Sequence, residues 1–156
     1  GAVQDSLGIS FEIAKKLDEG YYKAFPLIRD YQNWVEATLS QKGWIANIFG
    51  RRYYMRSSSW FYKVYNYMIQ GGCADIMKEK EIEVFLFFLE HPELKSKMVL
   101  PVHDEIQIAI WHGEEWIIPH IKAIMEDTLS YIPTIPMICD VEVTETNWAE
   151  KVEFHV

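Results

Sequence analysis

Cysteine is almost missing from this chain of 156 residues. Only Cys73 and Cys139 occur, with no short spacing between them. A structural zinc site or a disulfide framework is therefore not expected, and a reducing cytosol is the default compartment. No run reaches the ~18 apolar residues that a membrane span needs. No charged-then-apolar leader opens the sequence, so the expectation is a cytoplasmic protein without a membrane partner. Positive charge is scarce too: 15 Lys and Arg against 23 Asp and Glu give a formal net charge of −8. That balance disfavours nucleic-acid binding driven by bulk charge. The HExxH pattern of zinc hydrolases does not occur, and His112 and His120 stand too far apart to replace it. Internal repeats, low-complexity segments and Gly/Ser linkers are also missing. What remains is one ordinary domain, or one piece of a larger one.

Apolar residues make up 49% of the chain and aromatic residues 15%, enough to bury a real core. Charge is unevenly spread. Residues 1–63 carry nine Lys/Arg and six Asp/Glu, a balance of +3, whereas residues 64–156 carry six and seventeen, a balance of −11. The positive side contains Arg51, Arg52, Arg56 and Lys63, interleaved with Tyr53, Tyr54, Trp60, Phe61 and Tyr62. Such a cluster can pair phosphates and stack bases, or it can be the solvated face of an amphipathic hairpin and helix.

Local signals predict the elements. Ser10 is an N-cap candidate, with Glu12 in the first turn and Phe11, Ala14, Leu17 and Tyr21 at helical spacing to about Ala24. Pro26 opens a second helix, with Leu27, Tyr31, Trp34, Val35 and Leu39 along one face and Gly43 at its end. Residues 44–49 and 52–55 read as strand, turn and strand. A long helix is expected from about Trp60 to Leu89, with Gly71-Gly72 bending or breaking it. Residues 98–111 read as a hairpin, residues 114–129 as a helix with Trp116, Ile117, His120, Ile121, Ile124 and Met125 on its apolar face, and Met137–Val143 as a last strand. The order implies an α+β domain with an antiparallel sheet.

Within the hairpin, "PVHDEI" places His103, Asp104 and Glu105 between two apolar runs. Adjacent side chains on an extended strand point to opposite faces, but a tight turn breaks that alternation and lets both acids reach one edge. At the rim of a core they lose hydration and repel each other unless a cation compensates. Mg²⁺ suits that role because it takes hard oxygen ligands, often one or two carboxylates plus phosphates. A solvated acidic turn is the alternative, and His103 by itself reads equally as a hydrogen-bonded structural histidine.

Four stretches then join: "LGISFEIAKKLDEGYYKAFPLIRDY", "GWIANIFGRRYY", "IQGGCADIMK" and "PVHDEI", with "VEVTETNWAE" near the end. Their order and spacing from Leu7 to Glu150 resemble the family A DNA polymerases, the enzymes similar to bacterial DNA polymerase I and its phage relatives. The resemblance implies the C-terminal portion of a right-hand polymerase fold: partial fingers-derived helices and a hairpin to about residue 56, then palm to residue 156, with an antiparallel palm sheet and the hairpin around Asp104 as motif C. It implies template-directed nucleotidyl transfer with Mg²⁺, on primer-template DNA and deoxynucleoside triphosphates, in the cytoplasm (of a host cell, if phage-encoded). By match, Asp104 is the metal-binding aspartate, Glu105 its acidic neighbour near the metals, and His103 the residue at the primer terminus. Asn66 and Gln70 are minor-groove contacts near the primer end, while Arg51 and Arg52 are candidate DNA contacts. An amide suits the minor groove, where acceptors recur at similar places in every base pair; the alternative for both is helix capping at the bend. Tyr62 stands where many relatives have Arg, and Met68 where they often have Pro, so no arginine contact is carried over and Lys63 receives no role.

The family also uses a second palm aspartate in a D-Y-S-x-x-E-like strand and Lys, Arg and Tyr from a fingers helix, all expected upstream of Gly1. "RDYQNWVE", residues 29–36, looks like the first of these but has a helical apolar period. The expectation is thus a portion that is inactive alone, either excised from a longer chain or encoded by a split gene, with the missing N-terminal part as partner. Two alternatives stand beside it: a metal-dependent nuclease drawing Asp140 and Glu142 toward Asp104, and a non-catalytic DNA-binding or assembly subunit marked by exposed apolar surface.

Overall fold

The computed structural model describes residues 7–128 and 132–155. The chain forms two compact units, Gly1–Gln70 and Gly71–Val156. Among the described residues no helix is long and apolar enough to cross a membrane.

In the first unit, α1 spans Phe11–Ala24. The Ser10 hydroxyl accepts from the Ile13 amide at 3.4 Å, with Glu12 and Lys23 placed at the ends that the helix dipole favours. α2 spans Pro26–Lys42 with Pro26 in its first turn. It stops where Gly43 takes φ +73° and returns its amide to the Leu39 carbonyl at 2.8 Å. "RDYQNWVE" lies inside this helix, as its period required. The apolar stripes are less covered than their spacing suggests. α1 buries no residue, and in α2 only Val35 and Leu39 are buried. Those two meet Ile45 and Val64, with Tyr31, Tyr53, Met55 and Tyr65 packed around them.

The first hairpin is shorter than expected. β1 covers Trp44–Ala46 and pairs antiparallel with β2, Arg52–Tyr54. Residues 47–49 leave the strand because the Asn47 side chain accepts from the amides of Phe49 (3.1 Å) and Arg51 (3.0 Å), and Gly50 supplies a φ of +80°. A short 3₁₀ turn, Ser58–Trp60, leads into α3, Phe61–Glu90. The break expected at Gly71-Gly72 does not occur: one uninterrupted helix contains both. Each mid-helix glycine costs about 1 kcal/mol against alanine, and the long apolar flanks on either side outweigh that.

The second unit is built on another hairpin. β3, Lys97–Val102, pairs antiparallel with β4, Glu105–Ala109. α4, Ile117–Glu126, covers it. Val84, Ile117 and Ile121 are the buried centre, with Phe87, Phe88, Met98, Ile106, Ile108 and Ile110 around them. α4 starts later than the sequence suggested because residues before it serve as a clasp. The Glu114 carboxylate accepts from the amides of Lys95 (3.0 Å) and Ser96 (2.8 Å) and from the Ser96 hydroxyl (2.6 Å), and that hydroxyl accepts from the Trp111 amide. The expected helix end at Leu129 lies outside the described residues, and Trp116 and His120 are exposed rather than inward.

The expected strand Met137–Val143 shrinks to β5, Glu142–Val143, paired with β6, Val152–Glu153. Upstream of β5 the backbone is engaged elsewhere. The Cys139 amide donates to Glu126 at 2.9 Å, and its carbonyl accepts from Lys122 at 2.6 Å. Both groups are thereby withdrawn from any ladder. The expected single antiparallel sheet is likewise not continuous: among the described residues the strands pair as three separate two-stranded sheets. The α+β character stands in this mixture of helices and small antiparallel pairs.

Hydrogen bonds from Lys95 and Ser96 hold the Glu114 carboxyl below its ordinary value of 4.5. A depressed carboxyl contributes stability above its unfolded pKa and loses it as pH falls through the folded value. Glu114→Gln should therefore lower the Tm at neutral pH, and the gap to the parent should narrow as pH falls below 4.5 toward the depressed folded value. Thermal unfolding followed by circular dichroism at pH 7 and pH 3.5 checks this.

Candidate functional site

The β3–β4 turn has only two residues, His103 and Asp104, because Val102 pairs directly with Glu105. So short a reversal calls for positive φ at its first position, a role that glycine or asparagine usually fills. Here His103 fills it, at φ +55°, the one non-glycine residue with positive φ among those described. A β-bulge at Val99 shifts the register one residue further back, between Met98 and Leu100. Bulges at such places re-aim side chains near a strand end.

Register then sorts the side chains. Ile106, Ile108 and Ile110 face the core, so Glu105 and Gln107 face away from it. Asp104 belongs to neither face. It is exposed in the turn and makes no hydrogen bond or ion pair among the described residues. Glu105 is partly buried and engaged: its Oε1 accepts from Gln107 Nε2 at 3.1 Å, and its Oε2 lies 3.6 Å from Lys151 Nζ. Lys151 is also 2.6 Å from Glu142 Oε2. The expectation of two carboxylates desolvated side by side is thus corrected. Asp104 is free in solvent, and the cation beside Glu105 is a lysine ammonium. No group of three or more His, Cys, Asp and Glu side chains among the described residues is placed to hold a metal. Glu142 approaches the tip only through Lys151, which leaves the nuclease reading unsupported among these residues.

Asn66 and Gln70 lie four residues apart on α3, both exposed, and on one face with Tyr62. Neither caps a helix end, since the helix continues to Glu90. Asn66 and Tyr62 border an open groove of ≈ 480 Å³ that Tyr21, Leu27 and Tyr31 also line. The groove wall is fixed by the Tyr31 hydroxyl, which donates to the Tyr65 carbonyl at 3.0 Å. Burial and a hydrogen bond to Glu36 push the Tyr65 hydroxyl up to about 12, so it remains a donor at neutral pH.

Arg51 and Arg52 are exposed at the β1–β2 hairpin. The Arg52 guanidinium stacks 4.5 Å from the Trp44 ring centre, and Lys63 lies 4.5 Å from that of Trp60. Aromatic contact holds these cations in place while leaving their outer edges open to anions.

Sequence reading missed Lys151, Gln107 and Asn47. Lys151 had a usable signal, being the sole Lys or Arg after Lys122 in a strongly acidic stretch.

Against this geometry, the family model for DNA polymerase family A matches residues 2–150. The chain belongs to DNA polymerase family A. It is similar to DNA polymerase I of Borreliella burgdorferi, 31% identical over an alignment of 154 positions that covers 92% of this chain and 16% of that protein. It is similar also to the thermostable DNA polymerase I of Thermus aquaticus, 28% identical and covering 97% of this chain and 19% of the relative. Among solved structures it resembles the polymerase domain of Pol1 from M. smegmatis in complex with DNA primer-template and dNTP, with a TM-score of 0.71 and 28% identity over 80% of this chain and 24% of that one. The chain thus spans under a fifth of the length of these two curated relatives.

A non-glycine residue at positive φ costs about 1–2 kcal/mol. His103→Gly should remove that strain and raise stability by up to about 1 kcal/mol once the freer unfolded chain is counted. His103→Val, β-branched, should lower stability by about 1–2 kcal/mol. Urea unfolding of the three proteins compares them.

Proposed function

We propose that this chain is the C-terminal portion of a family A DNA polymerase, with fingers-derived helices to about residue 56 and palm beyond, and that it serves template-directed nucleotidyl transfer. The observation that carries the reading is the two-residue turn that leaves Asp104 exposed and unpaired at a hairpin tip, in a chain whose family match runs from residue 2 to residue 150.

The residues present fit Mg²⁺ in part. Asp104 offers a free hard-oxygen ligand, and Glu105 stands beside it, the one- or two-carboxylate set with which Mg²⁺ commonly combines phosphates and water. When bound, the ion would polarise the primer 3′-hydroxyl and neutralise triphosphate charge. Asp104 would hold it at the tip, Glu105 would stand beside it, and His103, fixed in the turn at positive φ, would lie next to the primer terminus. Asn66 and Gln70 are exposed amides one helical turn apart, suited to the minor-groove acceptors of successive base pairs. Arg51 and Arg52 take phosphates. The partners are those held by the M. smegmatis neighbour, primer-template DNA and dNTP, together with an N-terminal part that brings the second aspartate and the fingers helix.

An assembly role within such an enzyme has its own support. Ile82, Phe85, Leu86 and Leu89 follow an i, i+3, i+4, i+7 stripe on α3 and are 47–58% exposed. A contiguous apolar face of this kind marks a docking surface.

With primer-template, dNTP and Mg²⁺, the isolated chain should show no primer extension; extension that Asp104→Asn abolishes would overturn the inactive-alone reading. Duplex binding measured by fluorescence anisotropy should weaken with salt, and Arg51→Ala should reduce the log–log slope by about 0.9. Asn66→Ala and Gln70→Ala should weaken binding alike on unrelated sequences, and affinity independent of salt would count against DNA contact altogether.

A further inference from the structure

The geometry points to Lys151 as a positioning residue for the Asp104 site: it holds Glu105 on the outer face of the hairpin and leaves Asp104 as the tip carboxylate open to a cation. This rests on the reading of Asp104 as a cation ligand.

Three contacts converge on one ammonium. Lys151 Nζ lies 2.6 Å from Glu142 and 3.6 Å from Glu105, and 5.2 Å from the centre of the Trp148 ring. The lysine side chain is only 26% exposed. Its place is built. The Asn147 side chain accepts from the Ala149 amide to start the 3₁₀ turn Trp148–Glu150, and β6 begins just after Lys151. Lys151 is therefore set by backbone structure on both sides, unlike a free surface lysine. At its other end Glu105 is held by the ladder to Val102 and by Gln107.

Two carboxylates share this ammonium, and Asp104, one residue away, has no share in it. Glu105 is thus occupied without any metal. Its charge is offset, its rotamer is fixed, and the turn is tied to the β5–β6 hairpin. The Lys151 charge also sets how strongly the tip draws a cation.

The test uses the full chain, with Mn²⁺ as probe. In metal-free protein, amide exchange across Val102–Gln107 is compared in the parent, Lys151→Met, Glu105→Gln, the double variant and Lys151→Arg. Each single loss should speed exchange about two- to fivefold, the worth of a partly exposed ion pair. The double variant should be no faster than either single one, because the two residues form one interaction, and Lys151→Arg should match the parent. Unchanged exchange in Lys151→Met, or additive effects in the double variant, overturns the tether. Mn²⁺ binding is then read from the electron paramagnetic resonance of the free ion. Lys151→Met should bind more tightly, about threefold on an order-of-magnitude Coulomb basis for one positive charge removed near the site in water; equal affinity in the two proteins overturns the claim that Lys151 withholds Glu105. Should the parent take up no Mn²⁺, the Asp104 reading falls and the exchange data alone decide the tether. Lys151→Gln provides a second neutral replacement if Lys151→Met fails to fold.

Discussion

β3 and β4 must reverse direction within two residues, and the rest of the tip follows from that shortness. The backbone can close so tight a hairpin only by entering the left-handed region, and His103 does so. Closure there makes Glu105 the first residue of β4. Period-two alternation then puts its side chain opposite the face that Ile106, Ile108 and Ile110 bury. A slip of one residue would turn Glu105 inward and Ile106 outward, so the isoleucines hold the register against it. Asp104, inside the turn, escapes the alternation, and for that reason it is the one acid of the pair with no partner. The apolar core thus chooses which of two neighbouring carboxylates is free.

Sequence alone disclosed what depends on local chemistry. Ser10, Pro26 and Gly43 mark helix boundaries through their own backbones or hydroxyls, and the structure uses each of them so. The hairpin around residues 98–111 was legible because two apolar runs flank a short ionisable turn. What stayed hidden depends on contacts between distant residues. Residues 137–141 have strand composition, yet Lys122 and Glu126 on α4 take the backbone groups of Cys139. Asn47 shortened β1 through a side chain whose strand-ending role is clear only once the turn is seen. Of the bend or break expected at Gly71-Gly72, the break does not occur, since a propensity cost of this size yields in a long helix. At the site, the tip acids could be named from the sequence, but not that one of them already has a cation forty-six residues on.

Charge separates along the same boundary as the structure. No charged residue lies between 64 and 70, so the +3 balance belongs to the unit Gly1–Gln70 and the −11 balance to the unit Gly71–Val156. The basic unit carries Arg51, Arg52, Asn66 and Gln70, the side chains suited to a polyanion. The acidic unit would repel the same polyanion unless cations intervened. An enzyme that brings DNA to an acidic hairpin must therefore carry positive charge to that place, either as metal or as side chain.

That requirement bears on how few carboxylates the tip should leave open. An open acid without a cation repels its neighbours and the substrate alike, and each one added raises the repulsion that a divalent ion must first offset. A closed acid contributes negative potential without demanding an ion of its own. Glu105, Glu142 and Lys151 together carry one net negative charge, where the two acids alone would carry two. Under the proposed reading Asp104 is the acid left for an ion, on a turn closed by His103 at positive φ. A ligand held in advance would lose less freedom on binding than one that must be ordered, and here the backbone is ordered by a histidine at positive φ and a partly buried isoleucine face.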